Sequence, residues 1–207
     1  MNGQTDVPAL RWGFVGTGGI ANAMANVVAT TPMAALRAVS SRRRTSADVF
    51  ADRYDVALRF HDWQAMLESG DIDAIYVATP TSVREEISIA AANAGKHVLA
   101  EKPFASSASV KRIIEACRRN DVAFMDGTHF VHHPRHHAIK DGMAELVGSP
   151  WSVASAFQFG LPNRGDIRYN AELEPMGAIG DAGWYNMRAA LEYLPGDAAP
   201  ASVEAVL

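Results

Sequence analysis

Over the first 125 residues, short apolar runs alternate with longer stretches in which apolar positions recur every three or four residues. The first rhythm is that of a buried strand and the second that of an amphipathic helix. Strands are predicted at 12–15, 35–40, 57–60, 73–79, 97–100 and 122–125. The fourth contains Ala74-Ile75-Tyr76-Val77-Ala78, a continuous apolar run of the kind buried on both faces. The first helix follows Gly16 and runs to about residue 29, ahead of Pro32. The second is capped by Thr45 or Ser46, with Asp48 in its first turn. The third spans 63–68 behind Asp62 and closes at Gly70. The fourth has Ser82 as its cap, runs to Ala94 and stops at Gly95. The fifth spans 106–120, with Val110, Ile113, Ile114 and Cys117 on one face.

Such regular alternation predicts an α/β fold with a doubly wound parallel sheet, and residues 1–125 are assigned to it. Beyond that point the pattern changes. A helix is expected after Pro134 within 129–146, an alternating strand at 151–159, and a polar loop at 162–175. A helix follows at 179–194, broken by Pro195-Gly196, and 200–207 reads as the start of another strand. Residues 126–207 are therefore read as an incomplete second domain.

Composition narrows the functional classes. The 207 residues are 48% hydrophobic and 20% charged, which suits a packed core rather than disorder. A formal net charge of −4 argues against a general binder of nucleic acid or anionic membrane. No apolar run approaches the ~18 residues a membrane span needs. Residues 1–12 lack the basic start and apolar stretch of a secretory signal. The single cysteine, Cys117, excludes an internal disulfide, reads as core, and fits a reducing, cytoplasmic compartment.

The first strand–helix junction reads Gly16-Thr17-Gly18-Gly19-Ile20-Ala21, a Gly-x-Gly-x-x-Ala pattern. Gly16 permits the tight turn, Gly18 lets a diphosphate approach the backbone, and Ala21 lets the helix pack closely on its strand. The diphosphate of a dinucleotide would rest on the free amides of that helix, which makes 16–20 candidate cofactor contacts. After the second strand, NAD-specific folds carry an acid for the ribose hydroxyls. Ser40-Ser41-Arg42-Arg43-Arg44 stands there instead. A hydroxyl and a guanidinium bind a 2′-phosphate where a carboxylate would repel it. NADP is therefore expected, with NAD the alternative; Ser41 and Arg42 are the leading contacts, followed by Arg43. Thr79-Pro80-Thr81 and Glu101-Lys102-Pro103 end the fourth and fifth strands at the edge where such sheets bind ligands. Thr79, Pro80, Glu101 and Lys102 are further cofactor candidates.

These motifs together resemble the glucose-fructose oxidoreductase/inositol dehydrogenase/MocA family. The residues that carry the resemblance are Gly16 to Ala21, Ala38-Val39-Ser40-Ser41-Arg42, Ile75 to Pro80, Ala94 to Val98, Val98-Leu99-Ala100-Glu101-Lys102-Pro103-Phe104 and Gly180-Asp181-Ala182-Gly183-Trp184-Tyr185. Gly183-Trp184-Tyr185 and His133-Pro134-Arg135 look most like the dihydrodiol dehydrogenase branch. The resemblance implies a second α/β domain on a mostly antiparallel sheet. It also implies hydride transfer between NADP and a hydroxyl or carbonyl group of a small sugar, polyol or dihydrodiol. Lys102 matches the family's catalytic lysine, Asp181 its acid and Tyr185 its proton donor. Asp181 and Tyr185, four positions apart, would share a helix face. The family usually carries a histidine near the start of the helix after Thr79-Pro80-Thr81, where this chain reads Ser82-Val83-Arg84-Glu85. Relatives are also longer, so the second domain is expected to be partial, and pairing between copies is compatible with the fold.

His129, His132, His133, His136 and His137 have the spacing of metal ligands. No cysteine or acid completes a set beside them, the implied chemistry needs no metal, and none is expected. His129 or Arg135 could instead approach the cleft. Trp151 and Phe157 read as sheet-face packing. Two rivals to an enzyme of this family are a non-catalytic NADP-binding sensor of the same fold and a methyltransferase. The latter lacks the expected acid after the second strand.

Overall fold

The computed structural model describes residues 8–194 together with 202 and 204. Six strands form one sheet: β1 Leu10–Val15, β2 Ala34–Ser40, β3 Leu58–Phe60, β4 Ala74–Val77, β5 His97–Ala100 and β6 Phe124–Asp126. Their order is β3-β2-β1-β4-β5-β6, and every neighbouring pair is parallel. The order reverses between β1 and β4, so the connections leaving these two strands diverge. The crevice they open lies at the carboxyl edge of the sheet. Five helices make the crossovers: α1 Gly19–Ala29, α2 Arg44–Tyr54, α3 Trp63–Glu68, α4 Thr81–Asn93 and α5 Ser107–Arg119.

The central strands are buried on both faces, as the unbroken apolar run of β4 requires: Ala74, Ile75, Tyr76 and Val77 are all fully inaccessible. Phe14 packs edge-on against Tyr76, with ring centroids 5.0 Å apart, and Phe50 lies beside it. The phenol of Tyr76 would be an unpaired donor in this core, but it donates to Glu101 Oε1 at 2.6 Å. Cys117 lies in the core on α5, and burial raises its thiol pKa.

Helix starts follow local capping only in part. Asp62 accepts from Gln64 N as predicted, and Ser106, expected inside the fifth helix, instead caps it by accepting from Ser109 N. Two other predicted starts are corrected. α2 begins at Arg44 behind Arg43, so Thr45 and Ser46 lie in its first turn rather than capping it, and Asp48 falls beyond that turn. α4 begins at Thr81 behind Pro80, not at a cap on Ser82. Its orphan amides are satisfied from far along the chain: Thr81 N donates to Glu174 Oε1 at 3.1 Å and Ser82 N to the Leu173 carbonyl at 3.1 Å.

The chain divides into two compact units, Met1–Gly127 with Leu161–Asp181, and Thr128–Gly160 with Ala182–Leu207. Residues 161–181, expected in a second domain, thus pack with the sheet unit. The other unit holds a 3-10 turn, His129–His132, and two helices, α6 Pro134–Leu146 and α7 Trp184–Tyr193. A π-helical turn, Ile179–Gly183, leads into α7. Buried His136 lies 2.9 Å from the Tyr193 hydroxyl through Nδ1. Glu192 accepts from Lys140 and Arg188, each at 2.8 Å, and these bonds hold its carboxyl down to about 2.

The strand expected at 151–159 is not formed: no residue of that stretch joins a ladder, and Trp151 is 92% exposed rather than packed on a sheet face. Alternation in sequence supplies a face, but a strand also needs an edge to pair with, and this unit offers none among the described residues. The strand begun at 200–207 lies outside the described residues apart from 202 and 204, and 1–7 lie outside as well. Among the described residues no helix is long and apolar enough to cross a membrane.

Candidate active site

The β1–α1 turn is shaped by its glycines. Gly16 has φ +108°, and a Cβ there would stand 2.6 Å from the carbonyl oxygen of Ala78 at the end of β4. Both facts exclude a side chain. Gly18, by contrast, has φ −73° and serves as the N-cap of α1, and a Cβ on Gly18 or Gly19 would meet no protein atom within 4 Å. Asn22 makes the first intrahelical bond, to the Gly18 carbonyl at 3.0 Å. The amides of 19–21 therefore stand ahead of it at the positive end of the helix. The Asn22 side chain steadies the turn, donating to the carbonyls of Thr17 at 3.1 Å and Gly18 at 2.9 Å.

A groove of about 370 Å³ runs from this turn along α2. It is lined by Thr17, Gly18, Asn22, Arg43, Thr45, Ser46 and Arg53, with Val49 and Phe50 as its apolar floor. Arg43 is thus in the groove, whereas Ser41 and Arg42 are not among its walls. Thr45 and Ser46 were read from the sequence only as helix caps, and Asn22 and Arg53 were not singled out; with α2 starting at Arg44, the two hydroxyls lie in its first turn and line the groove. This unit fits a phosphorylated dinucleotide. It has a helix start with no side-chain cap, open space above two glycines, and two arginines with two hydroxyls in one groove.

Farther along the same edge, Glu101-Lys102-Pro103 leaves β5. Lys102 Nζ donates to Asp181 Oδ1 at 2.6 Å and to the Asp181 carbonyl at 2.9 Å. Asp181 Oδ2 accepts from Arg168 Nε at 2.6 Å, and Arg168 also pairs with Asp166 at 3.2 Å. One carboxylate therefore holds two cations. Burial pushes the Asp181 carboxyl up, but the hydrogen bonds and charges of Lys102 and then Arg168 outweigh it, so its pKa lies below the ordinary value. Arg168 is raised in turn: burial opposes its charge, and Asp181 and then Asp166 overcome that. Glu101 points away from Lys102 into the core, toward Tyr76, and packs against Gly127, where a Cβ would approach its carboxylate within 2.9 Å. Buried Thr79 Oγ1 has no partner among the described residues.

In the other unit, the Tyr185 hydroxyl lies 3.2 Å from His129 Nδ1, with the rings edge to face. Phe157 packs on Tyr185 at 5.3 Å between centroids, and Trp184 Nε1 donates to Thr128 Oγ1 at 2.7 Å. The structure thus brings Lys102 and Asp181 together and pairs Tyr185 with His129. Arg168, Arg84 and Glu174 escaped the sequence reading because single charged residues in loops and helices carry no local signature of a distant partner.

Comparison with known proteins agrees with this geometry. Residues 10–128 match the family profile described as "Oxidoreductase family, NAD-binding Rossmann fold", Gfo/Idh/MocA. The chain belongs to the Gfo/Idh/MocA oxidoreductase family. Among relatives, it is 33% identical over 200 residues to a dTDP-3,4-didehydro-2,6-dideoxy-alpha-D-glucose 3-reductase of Actinomadura kijaniata, covering 95% of this chain and 60% of that protein. It is 31% identical over 189 residues to D-xylose 1-dehydrogenase (NADP(+)) 2 of Haloferax volcanii, covering 89% and 57%. The crystal structure of KijD10, a 3-ketoreductase from Actinomadura kijaniata in complex with NADP and TDP-benzene, superposes with a TM-score of 0.85 at 33% identity, covering 89% of this chain and 57% of that one. A trans-1,2-dihydrobenzene-1,2-diol dehydrogenase of Danio rerio is 31% identical over 121 residues, covering 57% of this chain and 36% of that protein. The chain spans about 60% of the curated relatives it matches over most of its length.

Proposed function

We propose that this chain carries the cofactor site and the reactive lysine of an NADP-dependent oxidoreductase that interconverts a carbonyl and a hydroxyl group on a sugar. Relatives matched over most of the chain are named for reductases and dehydrogenases, and those on nucleotide-linked keto sugars favour that substrate class over free polyols or dihydrodiols. They do not support the alternative of a non-catalytic NADP-binding sensor. The observation that carries the proposal is the Lys102–Asp181 pair, 2.6 Å apart, at the sheet edge that also bears the Gly16–Gly18 turn.

The amides of 19–21 would take the diphosphate of the dinucleotide. Arg43, Arg53, Thr45 and Ser46 would take its 2′-phosphate, with Ser41 and Arg42 at the rim. Thr79 and Pro80 would flank the nicotinamide end, whereas the Glu101 side chain is turned into the core against Tyr76. When bound, NADPH supplies the hydride. Lys102, kept charged and oriented by Asp181, donates a hydrogen bond to the substrate oxygen and stabilises the negative charge that grows on it. Arg168 fixes the far oxygen of Asp181, so that the ammonium keeps one direction. In the other unit Tyr185, its hydroxyl 3.2 Å from His129 Nδ1, is the proton donor that the family motif suggests. Such chemistry fits a reducing cytoplasmic setting, a small-molecule substrate without nucleic acid or membrane, and pairing between copies.

The test is a titration of the 207-residue chain with NADPH and NADH followed by nicotinamide fluorescence. NADPH oxidation is then followed with a dTDP-linked 3-keto sugar, a free keto sugar and an inosose. NADPH is expected to bind more tightly than NADH, with turnover on the nucleotide-linked sugar. Tight NADPH binding without oxidation by any carbonyl would point to the sensor instead.

A further inference from the structure

Arg84, on α4, is 4% exposed, so its charge must be balanced by protein rather than water. Its guanidinium bonds three acceptors on two pieces of chain. Nη1 donates to the Pro103 carbonyl and to Thr81 Oγ1, the latter at 3.0 Å, and Nη2 donates to the Thr79 carbonyl. Thr79 follows the end of β4, and Pro103 follows Lys102. One planar fork thus ties the loop leaving β4 to the loop leaving β5, beside the residue that bears the reactive ammonium.

The counter-charge comes from the segment 161–181. The Glu174 carboxylate accepts from Thr81 N at 3.1 Å and from Thr81 Oγ1 at 2.6 Å. The Thr81 hydroxyl therefore accepts from Arg84 and donates to Glu174, linking cation to anion. Burial pulls the Arg84 pKa down, and Glu174 and then Glu101 oppose it. The segment consequently meets the sheet edge at two stations. Glu174 docks on the start of α4, and Asp181 docks on Lys102.

We propose that Arg84, balanced by Glu174 through Thr81, is a positioning residue that sets the Lys102–Pro103 turn and so holds the Lys102 ammonium against Asp181. A lysine at 84 would keep the charge but could not reach carbonyls on both sides of the fork. The inference deepens the reductase reading, on which its consequence for turnover rests; the placement of Lys102 does not depend on that reading.

The experiment compares the full chain with Arg84→Lys and with the charge-free pair Arg84→Met/Glu174→Gln. Acetic anhydride labelling of each lysine is resolved by peptide mass spectrometry, and folding is checked by circular dichroism. Lys96, bonded to the Ile72 carbonyl at 2.9 Å, is the internal reference. Lys102 is expected to label about tenfold faster in both variants, the effect of losing a charged hydrogen bond, with Lys96 unchanged and the helical signal kept. Lys102 labelling at the parent rate in a folded variant would overturn the proposal. Loss of the helical signal in both variants would overturn it too, because Arg84 would then be needed for folding rather than for placement. In the same proteins, an altered pH profile of kcat with unchanged NADPH affinity is the expected consequence for turnover. A parent chain that does not bind NADPH sinks the reductase reading and leaves the labelling to decide the role of Arg84.

Discussion

Substituting alanine separately at Gly16 and Gly18 distinguishes a fold requirement from a ligand requirement within one turn. At Gly16 the backbone has φ +108°, and the added methyl would stand 2.6 Å from a main-chain oxygen of Ala78. Holding a non-glycine residue in such a conformation costs about 1–3 kcal/mol. Relieving the contact requires β1 or β4 to move by about half an ångström, and neither strand end can swing aside as a side chain would. Overpacking of this kind costs about 1–3 kcal/mol. Gly16→Ala is therefore expected to destabilise the sheet unit by about 3–4 kcal/mol, lowering the melting temperature by roughly 10 °C. At Gly18 the φ of −73° suits any residue, and the methyl would meet no protein atom. The only structural cost of Gly18→Ala is a poorer N-cap, about 0.5–1 kcal/mol. Yet that methyl would fill the space through which a diphosphate approaches the amides of α1, and NADPH affinity should fall by at least about tenfold. Circular dichroism melts and NADPH fluorescence titrations measure both effects. The reasoning fails if Gly16→Ala melts within about 2 °C of the parent, or if Gly18→Ala binds NADPH as tightly as the parent does.

Other outcomes follow from the same geometry. Asp181→Asn leaves Lys102 and Arg168 facing a neutral amide, and should cost about 2 kcal/mol at pH 7. Because the folded pKa of Asp181 lies below its ordinary 3.8, that contribution is full above 3.8 and fades as pH falls through the lower folded value. The gap in urea midpoint between parent and variant should therefore close on acidification; a gap that widens below pH 4 contradicts the sign. Tyr185→Phe should abolish turnover while leaving NADPH affinity within about twofold, and loss of both would remove Tyr185 from the proton-transfer role. Replacing Arg43 and Arg53 together by alanine should weaken NADPH by about tenfold or more and NADH hardly at all, as read by paired fluorescence titrations; equal losses would place the 2′-phosphate elsewhere.

The divide between what the sequence made legible and what it concealed follows the range of the interactions. The sheet was readable because its inner strands β2, β1, β4 and β5 each declare their burial within four to seven residues, and β4 did so with a run that no helix surface would carry. Gly16 and Lys102 were readable because a turn and a strand end are local events. Local capping rules placed Asp62 correctly and failed at α4, whose start is satisfied by Glu174, 93 residues away. The strand expected at 151–159 failed for the complementary reason: its alternation is local, but the pairing that would make it a strand is not. The Lys102–Asp181 bond spans 79 residues; family motifs picked out both positions but not their bond, and Arg168, which grips the same carboxylate, stood in no motif and was missed. In this protein, then, the scaffold that holds a cofactor is written in short-range patterns. On the proposal for Arg84, the orientation of Lys102 is written in two acids of one returning segment, Glu174 and Asp181, and in the buried arginine beside the first of them. A change in that segment should therefore alter the chemistry at Lys102 while leaving the Gly16–Gly18 turn intact.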